Sequence, residues 1–169
     1  MLKNTRGFTI VELLIVIVVI GILAAIVIVA FNGVQNRGYD ASVQSDLTAI
    51  AKKYELHKID STNDRYPFGT SLNDGSTIKV SVNKSAYDQT VNYNLLNCTN
   101  PSAQGSNYAI LALSKSGKKF YISSESKSPQ EYTGTATWLD TPNCPNVLPG
   151  SSASGSGYQN AGGWRAWAN

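Results

Sequence analysis

Four kinds of side chain in this sequence are chemically suggestive: the carboxylate of Glu12, the imidazole of His57, the thiols of Cys98 and Cys144, and the ammonium groups of Lys115, Lys118 and Lys119. Glu12 is the most informative, because it sits in "RGFTIVELLIVI", just after a short basic start and inside an apolar run. A carboxylate in the apolar part of a membrane helix costs about 2.5–3.5 kcal/mol when central and less near an end, so it marks a function and a partner. No Lys, Arg or His lies between Phe8 and Phe31. The cation that can arise nearby is a new α-amine at Phe8, one helical turn before Glu12 and created only if the chain is cut after Gly7. Within one chain such an amine neutralises Glu12; between chains it sets a register. The competing reading leaves Glu12 in the headgroup layer.

The other groups carry less. His57 extends an apolar helical stripe and has no companions at zinc-like spacing, so no metal, cofactor or catalytic role is expected. No phosphate-binding glycine loop or nucleophile motif occurs, and the chain is expected not to be an enzyme. Two cysteines in an exported chain would most simply join as one disulfide, the alternative being two free thiols. Lys115, Lys118 and Lys119, with Lys127, Phe120 and Tyr121 nearby, are either a surface-binding patch, for DNA for instance, or solvated lysines guarding a sheet edge. The formal charge of +3, from 14 Lys and Arg against 11 Asp and Glu, gives no support to nucleic-acid binding. Two sequons, at Asn83 and Asn97, are weak motifs.

The elements that must position these groups follow from the apolar pattern. Leu13 to Phe31 is uncharged and, as a helix, long enough to cross a bilayer. A secretory signal places its small-residue cleavage site after such a run; here the small residue, Gly7, comes before it. Residues 1–7, with Lys3 and Arg6, therefore read as a leader held on the cytoplasmic face, and residues 8–31 as a retained span. Residues 32–59 continue it: Gly33 and Gly38 weaken the helix without ending it, and Val43, Leu47, Ile50 and Tyr54 form an amphipathic face.

Residues 60–148 read as a globular region of three to five antiparallel strands. The best hairpin joins Tyr108–Leu113 to Lys119–Ser123, with further candidates at Thr77–Val82, Val91–Leu96 and Thr135–Leu139. Residues 149–169 begin as a Gly/Ser-rich, linker-like tail and end in Trp164-Arg165-Ala166-Trp167, which is either an exposed adhesive tip or an aromatic segment folded onto the sheet. The expected class is α+β, a long N-terminal helix packed through its second half on a small antiparallel sheet.

Gly7-Phe8-Thr9-Ile10-Val11-Glu12 and the run that follows resemble the class III signal and N-terminal helix of type IV pilins and of type II secretion pseudopilins. The resemblance covers the first quarter to third of the chain. It implies cleavage by a prepilin peptidase between Gly7 and Phe8, N-methylation of Phe8, and polymerisation through the helix with Phe8 and Glu12 as assembly residues. The implied partners are the peptidase, membrane lipid, a membrane assembly platform and other pilin subunits. Gly21 matches a common glycine, whereas Val29 stands where many pilins have proline. The expected protein is a subunit of a pilus-like surface filament, anchored in the membrane before assembly and extracellular after it. The alternatives are a secretion pseudopilin and a single-span membrane protein displaying a binding or sensory domain.

Overall fold

A computed structural model describes residues 7–68, 78–100, 102, 105–134, 143–159 and 162–168. Its first element, α1, runs Ile10–Asp60. The chain divides into two compact units, Met1–Asn36 and Arg37–Asn169.

In the first unit the helix makes no core. Every large apolar side chain from Phe8 to Val34 is at least 48% exposed. The β-branched residues that dominate here are indifferent helix formers in water. In lipid the backbone must satisfy its own hydrogen bonds, and the helix becomes the answer for a single segment. The helix is long and apolar enough to cross a membrane.

The second unit is α+β, as its pattern requires. Val43, Leu47, Ile50, Ala51 and Tyr54 bury one face of α1. They join a core containing Leu95, Tyr108, Ile110, Phe120, Ile122 and Trp167. The sheet comprises β1 (Leu95–Thr99), β2 (Tyr108–Leu113), β3 (Lys119–Ser123), β4 (Gln130–Glu131) and β5 (Ser152–Ser156), in the order β4-β3-β2-β1-β5. All four pairings are antiparallel, and the β2–β3 hairpin has the bounds expected from sequence.

Why β2 reads as an unbroken apolar run becomes clear from its two faces. Tyr108, Ile110 and Ala112 face the α1 core. Ala109, Leu111 and Leu113 enter a second cluster with Leu96, Cys98, Cys144 and Leu148. A short helix, α2 (Asn143–Val147), supplies Cys144, which is bonded to Cys98 of β1. The sequence predicted a single covered face; the structure covers both at β1 and β2, and a strand buried on both sides loses its polar alternation.

Three local expectations change. Ile78 and Val80 are buried and Lys79 is exposed, which is the predicted alternation, but residues 78–82 form no strand. Val80 N–H instead donates to the Trp167 carbonyl at 2.7 Å. The candidate at 91–96 begins its ladder only at Leu95, because Tyr93 adopts a left-handed backbone, φ 62°. The linker-like tail is an edge strand: β5 pairs with β1, and Gly157 N–H donates to Leu95 O at 2.7 Å. A Cβ at Gly157 would meet Leu95 side-chain atoms at 2.7–3.0 Å, so glycine is required by the close approach. The candidate at Thr135–Leu139 lies outside the described residues, as does Thr77.

Beyond β5, a two-stranded ribbon of β6 (Tyr158–Gln159) and β7 (Gly163–Trp164) leads to a 3-10 turn, Ala166–Ala168. Trp167 is fully buried there, and Trp164 packs edge-on against Tyr87 at 5.3 Å. The aromatic end therefore folds onto the sheet. Segment 83–87 is tied to α1 through Asp46, whose Oδ2 accepts from Asn83 N–H at 2.8 Å and from Tyr87 O–H at 3.1 Å. Burial holds the Asp46 carboxyl above the usual range for aspartate, against the effect of those two bonds.

Candidate functional site

The site expected to matter most lies where α1 begins. Gly7, Phe8 and Thr9 are non-helical, and the helix starts at Ile10. Phe8 is 85% exposed, and beyond the chain neighbours of Gly7 no described atom lies within 4 Å of a Cβ built on it. The peptide between these two residues is thus outside the helix and open to a partner.

What stops the helix there is Thr9 together with Glu12. Thr9 N–H and Thr9 Oγ1–H both donate to Glu12 Oε2 at 2.8 Å, and Glu12 N–H donates back to Thr9 Oγ1 at 3.2 Å. This is a capping box, with Thr9 at the N-cap and Glu12 at the third helical position. It satisfies backbone donors that a helix start otherwise leaves unpaired. It also places the carboxylate at the positive end of the helix dipole. Glu12 therefore has intramolecular partners before any cut is made. The Thr-x-x-Glu spacing is readable in the sequence, and it gives Glu12 a partner that carries no charge.

The remaining candidates sit in the second unit. Cys98 and Cys144 are fully buried and disulfide-bonded, with Cα atoms 5.5 Å apart and a sequence separation of 46. His57 is half-buried on α1. The basic cluster is engaged within the fold. Lys118 Nζ pairs with Glu131 at 2.9 Å across the β3–β4 edge, and this bond raises the lysine's pKa. Lys119 lies over the Tyr132 ring and Lys115 over the Tyr39 ring, at 5.9 and 5.4 Å to the centroids. Beside Lys115, Ser116 Oγ bonds Asp40, so the β2–β3 turn is fastened to α1. No group of three or more potential metal-binding side chains occurs among the described residues.

Comparison with known proteins bears on both units. The family model for the prokaryotic N-terminal methylation motif matches residues 2–28. The type II secretion system core protein G of Klebsiella michiganensis is 37% identical over 65 residues, which is 38% of this chain and 44% of that protein. The Escherichia coli core protein G is 36% identical over 62 residues, 37% of this chain and 41% of its own length. The chain thus spans less than half the length of these relatives. The type IV wide pilus major component PilA4 of Thermus thermophilus is 25% identical over 144 residues, covering 85% of this chain and all of that protein. No solved structure matches the chain. Gly7, Phe8, Thr9 and Glu12 accordingly lie within a prepilin-type N-terminal methylation motif, borne by a chain similar both to type II secretion core protein G and to a type IV pilus component.

Proposed function

We propose that this chain is a prepilin, the structural subunit of a type IV pilus-like surface filament, that is cut between Gly7 and Phe8 and polymerises through α1. The observation that carries the reading is the first unit itself: an exposed, uncharged helix with one carboxylate in its first turn, beginning just beyond an accessible Gly-Phe peptide. Such a helix is costly in water and needs either lipid or other helices around it. Passing from a bilayer to the core of a filament exchanges one apolar surrounding for another.

In this reading the leader, residues 1–7, keeps the uncut chain oriented, and the membrane holds it as a single-pass protein. Cleavage removes Lys3 and Arg6 and leaves a charged amine on Phe8, within a turn of Glu12. The capping box moderates the cost of holding Glu12 in lipid, since its carboxylate already accepts two hydrogen bonds. In the filament, the Phe8 amine of a neighbouring subunit competes for that carboxylate and fixes docking register. Buried pairs of this kind serve register more dependably than net stability. N-methylation of Phe8 leaves the amine basic.

A second reading, a secretion pseudopilin, is favoured by the higher identity to core protein G. Alignment over the whole of the pilus component favours the filament. Both readings exclude a permanently uncut membrane anchor. The test combines two measurements on the full chain in cells competent for maturation. Mass spectrometry should find a mature chain starting at methylated Phe8, and electron microscopy should find surface filaments that vanish in Glu12→Ala while the membrane level of the subunit is kept. Intact leader on the purified protein, or abundant normal filaments from Glu12→Ala, would overturn the proposal.

A further inference from the structure

In the second unit, α1 has an outer face that the fold leaves bare. Lys52, Leu56, Ile59 and Asp60 are all exposed, Leu56 by 60% and Ile59 by 76%. At 3.6 residues per turn these four side chains fall within about 100° of arc. The buried residues Val43, Leu47, Ile50 and Tyr54 lie on the opposite side of the helix. Flanking residues are turned into the unit: Lys53 Nζ bonds the Lys79 carbonyl, Tyr66 O–H donates to Glu55, and Lys58 lies over the Tyr66 ring. Among the described residues, the side chains of Lys52 and Asp60 form no hydrogen bond, ion pair or ring contact. Two large apolar side chains framed by one free cation and one free anion make a surface with a self-complementary pattern.

We propose that this strip docks a second copy of the same chain, laid parallel and displaced along the helix axis so that Lys52 of one copy meets Asp60 of the next. The inference rests on the filament reading above, in which successive copies follow one another in the same direction. A two-fold antiparallel pairing of Lys52 with Asp60 is excluded on that ground. The eight-residue offset corresponds to about 12 Å of helix rise. At that offset Leu56 of one copy comes level with Thr48 of its neighbour, beside exposed Ala49, whose short side chain leaves room for Leu56 and Ile59. Charge fixes the offset, and apolar contact supplies the attraction.

The experiment uses the full chain in cells, with sheared filament mass measured against total subunit. Lys52→Glu and Asp60→Lys are each expected to lower filament yield about fivefold, the scale of one exposed ion pair. The double exchange, Lys52→Glu with Asp60→Lys, restores it to within about twofold on the same scale, because the pair re-forms between copies. Leu56→Asp lowers yield by about tenfold or more, as expected for a charge placed in an apolar contact, with subunit level and the Cys98–Cys144 bond on a non-reducing gel unchanged. A photo-crosslinking benzoylphenylalanine at position 56 yields adducts of twice the subunit mass. Unaltered yield in the single reversals, a double exchange no better than either single, or adducts solely with lipid or other proteins would overturn the docking surface and leave the filament reading standing. Absence of filaments from the unaltered chain would overturn both.

Discussion

Replacing Cys98 and Cys144 together by alanine tests how the second unit is held. The bond closes a loop defined by a sequence separation of 46. Loop-closure entropy for a loop of that size restricts the unfolded chain by about 4 kcal/mol at 25 °C. The second unit runs Arg37–Asn169, about 130 residues, for which the entropy of unfolding near the midpoint is about 0.28 kcal/mol per kelvin. The expected fall in melting temperature is therefore about 14 °C. Alanine is chosen over serine because both sulfur atoms belong to a buried apolar cluster, where a hydroxyl would add its own penalty. The assay is thermal unfolding of the full chain in detergent, followed by near-ultraviolet circular dichroism, with a reducing agent applied to the unaltered protein as an independent route. Agreement of the two routes within a few degrees is expected. A fall below about 3 °C by either route would show that the unfolded chain is already restricted at these positions, and would refute the entropic account.

Three further outcomes follow from the geometry. Thr9→Ala removes one half of the capping box and should loosen the first turn of α1 by about 1 kcal/mol, seen as faster amide exchange at Ile10–Leu13 in micelles; Thr9→Ser should preserve protection, and equal protection in the alanine variant would contradict the box. Asp46 has a folded pKa above its unfolded value, so its contribution to stability is greatest below the unfolded pKa and declines as pH rises through the folded one. Asp46→Asn keeps an oxygen able to accept from Asn83 and Tyr87. It should match or exceed the unaltered chain in urea midpoint at pH 7, with the difference shrinking towards pH 3; a gap that widens in acid would reverse the sign of the argument. Gly157→Val drives a branched side chain into Leu95 and should lower stability by about 1–3 kcal/mol, whereas a melting temperature equal to that of the unaltered chain would mean that β5 yields easily.

Legibility varied with how local the determining signal was. The apolar helix, the amphipathic stripe from Val43 to Tyr54 and the β2–β3 hairpin are written in local residue pattern, and the structure has them where the pattern places them. The Cys98–Cys144 bond followed from there being two cysteines to pair. Strand β5 was hidden, because Ser-Ala-Ser-Gly-Ser has no β propensity of its own and pairs only because β1 offers a partner. Conversely, residues 78–82 have the right alternation but make their contact with the C-terminal turn at Trp167, which no local window contains. At the helix start, a carboxylate in an apolar run points first to a cation, whereas its partner in the structure is the uncharged Thr9, three residues away.

Strand β5 is also an outer edge of the sheet, and outer edges invite like strands from neighbours. Its ladder with β1 skips a residue: Asn97 faces Gly155 while Cys98 faces Ala153, leaving Ser154 unpaired as a bulge. A kinked border is a poor template for a sixth strand. At the other border β4 is two residues long and closed by the Lys118–Glu131 pair. The two borders thus give the sheets of neighbouring copies little opportunity to fuse into amyloid-like ribbons.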